Sequence, residues 1–162
     1  MRIIAIGVLG IVLGSGLATA QTVEERARVL RDFSQNVANY AERYQCLDPV
    51  HAPVLEPSPR IFTLPVGMVF RQLIAEALQD RAPGTSMEGV ANWPQHHPVV
   101  LAPFPADELV DFPAVLANAL PVLPAPLDYR LIGRDLVMRD IQSDVIIGVL
   151  RDAVGAIATL KR

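Results

Sequence analysis

All fourteen prolines of this 162-residue chain fall between Pro49 and Pro126. Proline fixes φ and removes a backbone donor. The middle of the chain is therefore restricted to short pieces and extended connectors. The flanks, 21–48 and 127–162, are proline-free and can build longer regular elements. No internal repeat is visible.

The first twenty residues have a different character. Arg2 supplies a positive start, and Ile3 to Leu13 supplies an apolar run. Gly14, Ser15 and Gly16 then lead to Ala18-Thr19-Ala20, with small side chains at both cleavage-specificity positions. This reads as a secretory signal peptide cut after Ala20, leaving one small domain from Gln21 to Arg162 with a proline-rich middle over 49–126. Ile3–Ala20 is only just long enough to cross a bilayer. Its four glycines and small-residue end argue for cleavage rather than a permanent span, so no stable membrane span is expected afterwards. No Cys lies near the cut, which argues against a lipid anchor. Intact mass of the exported protein tests this: an N-terminus at Met1 overturns it.

The net charge is −3 at pH 7, and one unit more negative without Arg2. A nucleic-acid partner needs a basic face, so none is expected. Cys46 is the single cysteine. Export permits disulfides, yet no intrachain bridge can form. Cys46 is buried and inert, or a link between two chains, or a free thiol.

In the first flank, Thr22-Val23-Glu24-Glu25 fits a capping box. Ala27, Leu30, Phe33, Val37, Tyr40, Ala41 and Tyr44 then recur at helical spacing, predicting an amphipathic helix over 23–45. Its stripe packs on the protein's own core or, with Cys46, on a protein partner or a second copy. Thr63 and Pro65 suit a helix start. Val66, Val69, Phe70, Leu73, Ile74, Ala77 and Leu78 predict a helix over 65–80, ended by Pro83-Gly84. Ile61–Leu64 is a short strand or the lead into that helix. Val99-Val100-Leu101 reads as a short strand. Asp107–Val110 and Pro113–Leu120 read as short helical turns. Pro121–Pro126 reads as a polyproline spacer.

After Leu127 the period becomes two. Asp128–Ile132 and Asp135–Asp140 alternate around Gly133-Arg134, predicting a β-hairpin. Gln142-Ser143-Asp144 is a second turn signal. Val145–Leu150 is a third strand, or opens a helix to Leu160 with Asp144 as N-cap; a short apolar run fits both. The expected fold is α+β, with two helices and short helical turns on a small antiparallel sheet.

The stretch Pro124 to Asp140, followed by Ile146–Leu150, resembles the C-terminal segment of small Gram-negative periplasmic proteins. Their pattern runs P-P-x-x-Y-R-x-V-G-x-D-L-V-L-x-D and then an apolar run. It occurs in RcnB-like nickel/cobalt homeostasis proteins and in related exported families. The resemblance implies a periplasmic address and a β-meander. It carries no metal function over, since the rest of the chain does not match. Gly148 stands where that pattern usually has an acid or polar residue.

Three functional classes follow. Cys46, His51, His96 and His97 are the candidate metal ligands, for nickel, cobalt or copper homeostasis. Adjacent histidines on a strand point to opposite faces, so His96 and His97 need a loop to converge. A hydrolase would have to work without G-x-S-x-G, H-E-x-x-H or a P-loop. Asp107, Glu108 and Asp111 form an acidic group that a helix start also explains. Neither a catalytic residue nor a cofactor is assigned. The favoured class is a periplasmic, non-enzymatic binding or structural protein, with Trp93, Phe104 and Phe112 as a candidate aromatic patch or as core.

Overall fold

A computed structural model describes residues 15–45, 61–80, 97–105 and 111–155. Helix α1 runs Ser15–Gln45 and helix α2 Leu64–Gln79. A short helix α3 spans Ala114–Ala119. Strands β1 (Leu127–Ile132), β2 (Asp135–Asp140) and β3 (Val145–Leu150) form one antiparallel sheet in sequence order. The architecture is α+β, as the sequence predicts.

Helix α1 starts eight residues before Val23, so Thr22 lies inside the helix and not at its cap. Ser15 to Gln21 holds no proline, and glycine only at Gly16. With nothing to stop it, a helix nucleated downstream propagates through the alanine-containing stretch. Phe33, Val37 and Ala41 are buried, so the stripe is spent on the chain's own core. Among the described residues no helix is long and apolar enough to cross a membrane.

Helix α2 begins as read. Thr63 is extended at the N-cap, Pro65 sits in the first turn, and the Thr63 carbonyl accepts from Gly67 N–H at 2.8 Å. Ile61 and Phe62 form the lead-in rather than a strand. Arg26 of α1 donates to both Glu76 oxygens on α2, at 3.2 and 2.8 Å. Pro113–Leu120 does hold a helical turn, α3, with Leu116 fully buried. The other proposed turn, Asp107–Val110, lies outside the described residues, as does Trp93.

The predicted hairpin is present, with Ile132 opposite Asp135 across Gly133-Arg134. Gly133 has φ 60°, a conformation a side chain would resist. Val145–Leu150 is a strand, and the chain turns over Arg151-Asp152-Ala153-Val154 instead of continuing as a helix. A bulge between Met138 and Arg139 shifts the β2–β3 register. Ile147 is the extra residue, and the bulge lets both it and Gly148 face the main core.

Val99–Leu101 is not a strand. It is a turn with Leu101 at φ 69°. Pro98 and Pro103 flank it and offer no N–H to a ladder. The segment still covers the start of β3's edge: Leu101 N–H bonds to the Ile146 carbonyl (2.7 Å), Ile146 N–H to the Ala102 carbonyl (3.0 Å) and Phe104 N–H to the Asp144 carbonyl (2.8 Å).

The main core lies between the sheet and the helices. Phe70 is its centre, with ring centroids of Phe33, Phe62 and Tyr129 at 4.8, 5.5 and 6.2 Å. Gly148 faces this layer. A Cβ there would stand 3.2 Å from the Phe62 ring. Phe62 thus leaves little room for a side chain at this position.

Candidate functional site

Two polar arrangements are built on the sheet. On the face away from the helices, Arg139 is 6% exposed. Its guanidinium donates to Asp128 at 3.2 and 2.9 Å and to Asp144 at 3.3 Å. It also lies over the Phe104 ring, 4.9 Å from the centroid. Arg130 Nε donates to Asp128 as well, at 2.8 Å. Asp128 and Arg139 are direct partners in the hairpin register. Four charged groups thus neutralise one another beside a small apolar cluster of Phe104, Ile132, Val137 and Ile146.

The second arrangement is a groove of about 610 Å³ along β1. Its floor is Leu127 to Arg130. Its far wall is Asp111, Phe112, Ala117 and Pro121 to Leu123. Val122 on that wall is 92% exposed. The Phe112 and Tyr129 rings lie 6.0 Å apart. β1 is an edge strand among the described residues, so the groove runs beside backbone that no described strand pairs.

The Tyr129 hydroxyl is buried without a hydrogen-bond partner, and so is one oxygen of Asp140. The other Asp140 oxygen accepts from Gln142 N–H at 2.9 Å and Ser143 N–H at 3.4 Å, fixing the β2–β3 turn. Leu127 faces Asp140 and Tyr129 faces Met138, so the two orphaned groups are diagonal neighbours on the helix-side face. Burial pushes the Tyr129 phenol well above its ordinary value.

Of the sequence-derived metal candidates, Cys46, His51 and His96 lie outside the described residues. His97 is exposed at the start of the 97–105 segment. No cluster of three metal-ligating side chains occurs among the described residues. Phe104 is 3% exposed and belongs to the second apolar cluster; Phe112 is half-buried against the main core. Neither is a free aromatic patch. Sequence reasoning missed the groove and the Asp128–Arg139 pair. The signal for the pair was present, since both residues stand in the polar phase of the hairpin and its turn sets them opposite each other.

Compared with models of known families, with characterised proteins and with solved structures, the chain matches none.

Proposed function

We propose that this is an exported protein of the Gram-negative periplasm that acts by binding another macromolecule, without catalysis. The carrying observation is the β1 groove. It combines an exposed apolar side chain, Val122, with an edge strand whose backbone can accept a further strand. Exposed apolar surface beside free strand backbone is the chemistry of strand addition. The described ion pairs serve the fold, not a reaction. Arg139 and Arg130 hold Asp128, Arg26 holds Glu76, and Arg151 and Arg134 hold Asp135 and Asp152. The leader at Met1–Ala20 supports the address.

The test places a photo-crosslinking residue at Val122 and, as a control, at the exposed Ser34 of α1. Periplasmic release by osmotic shock, a mass that begins at Gln21, and adducts formed at Val122 alone are expected. A cytoplasmic protein overturns the address. Equal or absent labelling at the two positions overturns the groove.

A further inference from the structure

The strand beside that groove reads Leu127-Asp128-Tyr129-Arg130-Leu131, a sequence that mirrors itself in hydropathy and inverts in charge about Tyr129. The phase of the hairpin decides which backbone groups look outward. Ile141 N–H bonds to the Pro126 carbonyl at 2.9 Å, so 126 and 141 form a hydrogen-bonded position. Such positions alternate along an antiparallel pair. Asp128, Arg130 and Ile132 therefore bond to β2, while Leu127, Tyr129 and Leu131 turn their amides and carbonyls to the open edge. The Leu127 N–H is taken by Pro124 at 3.0 Å. The Tyr129 and Leu131 N–H groups have no such partner among the described residues.

We propose that the occupant of this edge is a second copy of the chain, paired antiparallel through β1 with Tyr129 opposite Tyr129. The inference rests on reading the groove as a contact surface. In this register the two Tyr129 residues exchange N–H···O bonds, and Leu131 N–H of each copy meets the Leu127 carbonyl of the other. Asp128 stands opposite Arg130 both ways, and Leu127 opposite Leu131. The neighbouring registers that keep the outward groups matched shift the centre to Asp128 or to Arg130. They set Asp128 against Asp128, or Arg130 against Arg130. Like charges directly opposite destabilise a strand pair, so charge alone selects the Tyr129-centred register. The exposed Val122 beside the strand gains cover in the same contact.

The experiment combines sedimentation with amide hydrogen exchange on the isolated protein, with a reductant present so that Cys46 cannot link chains. A concentration-dependent dimer is expected. Protection of the Tyr129 and Leu131 amides should rise roughly tenfold or more between dilute and concentrated samples. Asp128 and Arg130 amides, already bonded to β2, should change far less. Arg130→Glu sets an acid against Asp128 of the other copy and should raise the dimer dissociation constant about tenfold. Arg130→Gln should fall between it and the parent, with circular dichroism of both variants confirming the fold. A monomer up to millimolar concentration overturns the proposal, as does a dimer whose Tyr129 and Leu131 amides exchange at an unchanged rate. A monomer that still crosslinks another protein through Val122 overturns the second copy and leaves the groove reading standing.

Discussion

The two faces of the sheet are built on opposite principles. The helix-side face is apolar and deep, with Phe33, Phe70, Leu116, Leu136 and Met138 all at or near zero exposure. The other face has three buried apolar side chains, Ile132, Val137 and Ile146, roofed by Phe104 from an irregular segment. It is too thin to exclude water by itself, and the Arg139 network completes it. Hydrophobic burial needs no direction, so the first face can be filled by any good packing. A buried guanidinium needs fixed partners, so the second face depends on register. The lesson is that one three-stranded sheet draws its stability from area on one side and from alignment on the other.

The largest break in this comparison is Phe70→Ala. Removing the central ring of the aromatic cluster should cost about 3–5 kcal/mol in urea unfolding. Arg139→Met should come next, at roughly 2 kcal/mol, because Asp128 then keeps only Arg130 and Asp144 loses its cation. A cost under about 1 kcal/mol would mean that the second face contributes little, and the contrast would fail.

Tyr129→Phe tests the deep face in the other direction. Its hydroxyl is buried without a partner, so deleting it should leave stability unchanged or raise it by about 1 kcal/mol. The folded-state pKa of this phenol lies above the ordinary 10.0. Its stabilising effect is complete below pH 10 and drains away as pH rises beyond it. The parent should lose stability along that alkaline limb, and Tyr129→Phe should flatten it in a pH series of thermal melts. The smallest effect is expected at Glu76. Its hydrogen bond from Arg26, then that from Gln72, lowers its pKa below the usual carboxylate value. The contribution is present above that usual value and fades as pH falls through the lowered one. Glu76→Gln should trim only this acid limb.

Much of the fold was legible in local pattern. The α2 stripe and the β1–β2 hairpin carry clear periods, and Gly133-Arg134 marks the turn between them. Val145–Leu150 was ambiguous because it is covered on both faces, which erases alternation, and the bulge disturbs what remains. Val99–Leu101 misled because its β-branched residues suit a strand while Pro98 and Pro103 deny the ladder its donors. The start of α1 misled because a capping box is a local signal, and helix propagation overrode it. The groove was hidden for a different reason. Its walls, 111–123 and 127–130, meet only through the packing of α3 on the core, which no spacing rule reports.

The sheet has two unlike margins. The 98–105 segment occupies the outward groups of Asp144 and Ile146 at the start of β3, while no described segment bonds to the outer edge of β1 beyond Leu127. A sheet with two bare margins can recruit copies without end, which is the geometry of fibrils. A margin capped at one end is a poorer template, so a strand added at β1 would use the readier of the two. The irregular, proline-flanked strip that spoils the sheet's regularity thereby acts as a terminator. It would let the molecule keep one adhesive edge without polymerising.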